Sequence, residues 1–190
     1  MPTYGVIMNQ AVSMAQLGNN TLATGYHSKD FIRSCSAIIF VNPAVGSAGL
    51  FHFPEGDIHD DVESQILLRQ LVAEVKPSEA WVAFGHISSV ADEMAMHSRL
   101  SQNAPEPMPR PSTNNLFALI TWLQALLQFV PEPVHVLNGG ATVSIVAGHA
   151  YITTTKPTNG VTSLHAYNPG TYEPGFRIHW RGFQRRAFTL

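Results

Sequence analysis

The stretch Ser34 to Pro54, SCSAIIFVNPAVGSAGLFHFP, constrains the chain most. Ala37 to Val41 is an apolar run of strand length. Asn42, Pro43, Gly46 and Ser47 supply turn chemistry, and Ala48 to Phe53 reads as the returning strand. The hairpin so formed carries the only cysteine, Cys35, at its mouth and His52 on its second strand. Paired antiparallel strands bring opposite residues to within about 5 Å, so a thiol and an imidazole far apart in sequence can meet here. A Cys–His pair is the minimum machinery for thiolate attack on a carbonyl. The plainer reading of the same residues is a small buried thiol and a strand histidine between Phe51 and Phe53.

The chain has 190 residues, enough for one domain with a real core. Hydrophobic residues make up 45% and charged residues 13%, which excludes a disordered chain. A formal net charge of −2 supplies no electrostatic reason for nucleic acid or an anionic membrane as partner. One cysteine rules out an internal disulfide framework. The first 28 residues hold no Lys or Arg and no sustained apolar run, so no cleaved secretory signal is expected. Leu116 to Val130, the longest apolar segment, is interrupted by Thr121, Gln124 and Gln128 and is too short to span a bilayer. The expected location is the cytoplasm, or a target cell reached without a classical signal peptide.

Along the chain, Tyr4 to Met8 reads as an opening strand, while Asn9 to Tyr26, rich in Ala, Gly, Asn and Thr, carries no firm pattern. After the hairpin, Asp60-x-x-Glu63 reads as a helix cap, and Val62, Ile66, Leu67, Leu71 and Val75 as the apolar stripe of a helix ended by Lys76-Pro77. Ala80 to Phe84 reads as a buried strand. Ser88 or Ser89 caps a short helix with Val90, Met94 and His97, and Pro105 to Pro111 is a surface loop. A helix opening at Asn114 or Asn115 places Leu116, Leu119, Ile120, Leu123, Leu127 and Val130 on one face before Pro131. Short strands follow at 134–137, 142–147, 150–155, 161–166 and 176–180. This order predicts an α/β, that is α+β layered, single domain over 1–190, with mixed, largely antiparallel sheets and two main helices. Residues 156–190 form an additional strand-rich segment.

The Cys35–His52 hairpin resembles the core of the CheD family of glutamine deamidases, in which the cysteine follows a Gly-Ser and the histidine lies seventeen residues on. Ser34-Cys35 and His52 keep that spacing, and Pro43 falls at the family's mid-turn Asp-Pro position. The same core recurs in the deamidating toxins cytotoxic necrotizing factor and Burkholderia lethal factor. Element order over residues 30–155 is similar too, with Gly139-Gly140 at the family's Gly-Gly ahead of its closing strands. The resemblance implies a protein-glutamine deamidase with Cys35 as nucleophile and His52 as its base. It implies a protein substrate carrying an exposed glutamine, and neither cofactor nor metal. In the family a threonine six residues before the cysteine orients the imidazole. That position is Lys29 here, which leaves Ser28 as the nearest hydroxyl and the candidate third catalytic residue, with Thr24 a poorer substitute. Arg33 replaces the family's glycine. These departures and the extra tail favour a toxin or effector. The alternatives are a chemoreceptor deamidase of the CheD type and a catalytically inactive protein-binding module.

His52, Glu55, Asp57, His59, Asp60 and Asp61 crowd together without the spacing of a metal motif, and read as a polar loop with a helix cap. His86 is a weaker candidate on the substrate side, and His97 is ordinary. Gly139-Gly140 reads as a tight turn. Arg177, Arg181, Arg185 and Arg186, interleaved with Phe176, Trp180, Phe183 and Phe188, read either as a solvated strand face or as a docking surface for an acidic protein.

Overall fold

The computed structural model describes residues 2–25, 32, 35–85, 111–136, 139–155, 157, 160–164 and 175–182. The strands among them are β1 (Thr3–Val6), β2 (Gln10–Met14), β3 (Thr21–Thr24), β4 (Ser36–Asn42), β5 (Ser47–Phe53), β6 (Glu79–Phe84), β7 (Glu132–His135), β8 (Ala141–Val146), β9 (His149–Thr153), β10 (Val161–Ser163) and β11 (Phe176–Trp180). The helices are α1 (Val62–Val75) and α2 (Pro111–Leu127), with a 3-10 turn at Ile58–Asp60 ahead of α1. The described residues form an α+β fold with two helices and two mixed sheets. One sheet runs β10-β1-β3-β8-β9 and the other β11-β2-β5-β4-β6-β7. Among the described residues, parallel pairing is confined to β10–β1–β3 and β6–β7.

Period-two alternation along the central hairpin sorts the layers. Ile38, Phe40, Phe51 and Phe53 point to one side of the larger sheet and join Leu67, Leu68, Leu71, Leu119 and Leu123 of the helices. Ala37, Ile39, Val41, Ala48 and Leu50 point to the other side and meet Val6, Leu22 and Val143 of the smaller sheet. The order of layers is therefore small sheet, large sheet, helices. Gly49 lets α1 lie close on β5, since a Cβ there would stand 3.0 Å from Val75 Cγ2. Arg69 of α1 stacks over the Trp122 ring of α2, 5.0 Å from its centroid.

Several elements differ from expectation for local physical reasons. Asp61, not Asp60, caps α1: its carboxylate accepts from the Ser64 N–H at 3.0 Å and from the Ser64 hydroxyl at 2.7 Å. Asp60 is taken up by the preceding 3-10 turn, whose own cap is Asp57. The buried stripe of α1 is Ser64, Leu67, Leu68, Leu71 and Val75, which leaves Val62 62% and Ile66 52% exposed. Lys76, left-handed at φ 50°, ends the helix. α2 starts at Pro111, ahead of the expected Asn114 or Asn115, and Val130 stands exposed beyond its end. The unassigned stretch after residue 9 holds β2 and β3. The short helix expected at Ser88, most of the proline loop, His86 and His97 lie outside the described residues. No helix among the described residues is long and apolar enough to cross a membrane.

The strand-rich tail contributes β10 and β11 as edges of the two sheets. In β11, Phe176 and Ile178 are buried, and Arg177 and His179 face the other way toward Glu74 of α1. His179 Nε2 lies 2.9 Å from Glu74 Oε1, and the Ser13 hydroxyl donates to Glu74 Oε2. Burial would raise the Glu74 carboxyl. The hydrogen bonds from His179 and Ser13 and the charges of His179 and Arg177 outweigh it and hold the group below its ordinary range.

The layering predicts where truncation is costly. Phe40 is fully buried between sheet and helices, so Phe40→Ala is expected to cost about 3–5 kcal/mol. Val62→Ala, on the exposed side of α1, is expected to stay within about 0.5 kcal/mol. Urea unfolding of both variants measures this; equal losses would place the core elsewhere.

Candidate active site

The alternation that builds the layers also aims His52. Along β5 it shares a row with Ala48 and Leu50, so its ring enters the space between the sheets and is fully buried. There the end of β3 meets it: Thr24 Oγ1 lies 2.7 Å from His52 Nδ1. The same hydroxyl donates to the Val6 carbonyl at 2.7 Å. A threonine hydroxyl has one hydrogen, and a carbonyl can only accept. Thr24 therefore spends its hydrogen on Val6 and accepts from Nδ1–H. This selects the tautomer in which Nε2 carries a lone pair. Nε2 is buried and has no hydrogen-bond partner among the described residues, Cys35 included.

Cys35 stands immediately before β4, partly exposed. Ala37 lies opposite His52 in the β4–β5 register. Cys35 comes two positions before Ala37, one residue beyond the last β4–β5 pair, Ser36 with Phe53. Its sulfur lies 3.7 Å from Met8 Sδ. Met8 belongs to the turn that carries the chain from β1 in one sheet to β2 in the other. That turn is closed by Gln10 N–H to the Ile7 carbonyl at 3.0 Å and anchored by Asn9 N–H to the His52 carbonyl at 3.0 Å.

The third position differs from the sequence expectation. The hydroxyl at Nδ1 is that of Thr24, while Ser28 lies outside the described residues, as do Lys29, Arg33 and Ser34. Thr24 stands eleven positions before Cys35, yet β3 passes beside β5 and delivers it to the ring. Counting along the chain from the cysteine does not find it. The glycine pair takes part as well. A Cβ on Gly25, at φ 72°, would stand 1.9 Å from the Gly139 carbonyl oxygen, so only glycine allows these backbones to cross just after Thr24. The Gly139 carbonyl also accepts from Ile32 N–H at 2.9 Å, which ties the segment before Cys35 to this crossing. The acidic residues near His52 act structurally: Asp57 accepts from His59 N–H, and Asp61 caps α1.

Burial pulls His52 from its ordinary 6.5 down to about 4. The ring is neutral at pH 7, with an unprotonated, unpartnered nitrogen held in place by its other side. Such a nitrogen can accept a proton, but burial makes it a weaker base than an ordinary imidazole. Compared with protein-family models, with curated proteins and with solved structures, the chain matches none of them.

The lowered value has a consequence for stability. The unfolded histidine takes up a proton near 6.5 and the folded one near 4. Between these values the unfolded state binds more protons, so stability falls as pH falls. The loss begins near 6.5 and is complete below about 4, amounting to about 3 kcal/mol from this group. Chemical denaturation at both ends of that window, on the wild type and on His52→Gln, measures it. The variant is expected to lose about 3 kcal/mol less than the wild type; identical losses would mean a hydrated His52.

Proposed function

We propose that this chain is a Cys–His amidohydrolase acting on glutamine side chains of a target protein, of the CheD and toxin-deamidase type. The observation that carries the reading is the hydrogen-bonded line Val6 carbonyl, Thr24 hydroxyl, His52 ring. It leaves an unprotonated Nε2 on the strand that pairs with β4, which Cys35 immediately precedes. A threonine on the inner nitrogen of the histidine is also the arrangement that the resemblance implies, reached here from a different place in the sequence.

The chemistry follows from the protonation state. His52 Nε2 takes the proton of the Cys35 thiol as the sulfur attacks the carboxamide carbon, and a tetrahedral oxyanion forms. The imidazolium is stabilised by Thr24 at Nδ1. It then gives its proton to the departing amine, so ammonia leaves and a thioester remains. The neutral ring next takes a proton from water, hydroxide adds to the thioester carbon, and the C–S bond breaks. Glutamate is released as the proton returns to sulfur. Because burial keeps the ring neutral at rest, the pair begins as thiol and imidazole and becomes charged only during attack.

The effector reading is the one we carry. Its support is the displaced threonine, Arg33 at the family's glycine and the added β10 and β11, which set the chain apart from the chemoreceptor deamidases it resembles.

Incubation with glutamine-bearing proteins tests the reaction, read as ammonia release and as the mass gain of amide-to-acid conversion. Cys35→Ala is expected to abolish it and His52→Ala to lower it about 10²–10⁴-fold. Thr24→Val removes the acceptor at Nδ1 and frees the ring to take the wrong tautomer. Its expected loss extends to about 10⁴-fold, with Thr24→Ser restoring most of the rate. A binding module would instead hold its partner unchanged in mass, with Cys35→Ala without effect.

A further inference from the structure

The end of β11 reaches the candidate site through three groups. The Arg181 N–H donates to the Asn9 carbonyl at 2.9 Å. Its guanidinium Nε lies 2.8 and 3.0 Å from the two oxygens of Asp61. Its Nη1 lies 3.5 Å from Asn9 Oδ1. Asp61, with its side chain only 11% exposed, is at the same time the cap of α1. Arg181 thus fastens the turn at residues 7–10 to the start of a helix on the opposite face of the large sheet.

That turn touches both members of the Cys–His pair. Asn9 N–H holds the His52 carbonyl, and the Met8 sulfur lies against the Cys35 sulfur. Asn9 adopts φ 67° and is 3% exposed. The left-handed region is tolerated by asparagine but is costly enough to need outside support. From within, Gln10 braces the turn: Ile7 N–H donates to its Oε1 at 3.2 Å, and its Nε2 donates to the Leu164 carbonyl at 2.9 Å. From the other side the brace is Arg181.

We propose that Arg181 is a positioning residue for the Cys35–His52 pair, acting through the turn at residues 7–10. Its ion pair with Asp61 keeps Asn9 on the His52 backbone and Met8 over the thiol, and so keeps water from the ring. The proposal rests on the reading of Cys35 and His52 as a reactive pair. It gives the strand-rich tail, which has no counterpart in the resembled family, a task in the reaction.

Arg181→Met keeps the apolar stem and removes the ion pair. Asp61→Asn removes it from the other partner while keeping an oxygen for the helix cap. Two readouts in the full chain separate positioning from simple support: the titration midpoint of the His52 ring by NMR, and the rate of Cys35 alkylation by iodoacetamide at pH 7. Burial is the cause that lowers the ring, so admitting water raises its midpoint from about 4 toward about 6.5. Both variants are expected to show that rise and a several-fold faster alkylation with the fold intact, because the sulfur loses its Met8 cover and a more basic ring holds more thiolate, and Arg181→Lys to reverse part of each. Folded variants with midpoint and rate unchanged overturn the proposal. So does loss of the fold in both, which would make the ion pair a plain structural support. A wild-type ring that titrates near 6.5, with alkylation indifferent to His52→Ala, would refute instead the underlying reading of the pair.

Discussion

The single hydrogen of the Thr24 hydroxyl organises the site. Directed to Val6, it makes the same oxygen an acceptor for His52 Nδ1. Everything the ring can do at Nε2 follows from that direction. Both partners are buried, where an unmet polar group is expensive, on the order of 1–3 kcal/mol. The alternative tautomer would set an unprotonated Nδ1 against the Thr24 oxygen while the hydroxyl hydrogen stays with Val6. Nε2 itself remains without a partner.

The layers make this arrangement possible. β1 and β3 pair in parallel within the small sheet, so Thr24 comes to rest beside Val6, its register partner. The large sheet packs on them through Ala37, Ile39 and Leu50, and His52 occupies the next position in that row. The site therefore lies where the two sheets meet at one end of the hairpin. Cys35 stands just outside the regular pairing of β4 and is the partly exposed member. Depth is graded from the buried His52 ring to the partly exposed Cys35, the order that the proposed attack on a side chain presented from outside requires.

The hairpin is legible in sequence because its signals are local: two apolar runs around a turn of Asn, Pro, Gly and Ser. β11 was legible for the same reason. β2 and β3 were not, because their buried residues include Gln10, Ser13 and Thr24, which by composition resemble a loop. Each is satisfied by a distant partner: Gln10 by Leu164, Ser13 by Glu74, Thr24 by His52. Polar residues paired over such separations carry no periodic signal. That is why position along the chain points to Ser28 and not to Thr24 as the orienting hydroxyl. The phase of α1 slipped because Val62 and Ile66 are apolar yet exposed, while a polar Ser64, bonded to its cap Asp61, takes the buried position. The glycine pair was recognised as a turn, but its closeness to Gly25 depends on a segment more than a hundred residues away.

The central claim is a statement about one proton, and nitrogen NMR of the His52 ring addresses it most directly. The account predicts the Nδ1–H tautomer throughout the neutral range, an unprotonated Nε2, and an Nε2 resonance that moves when Cys35 is alkylated or replaced by Ala. An Nε2–H tautomer, or a ring whose Nε2 ignores every change at Cys35, would contradict it.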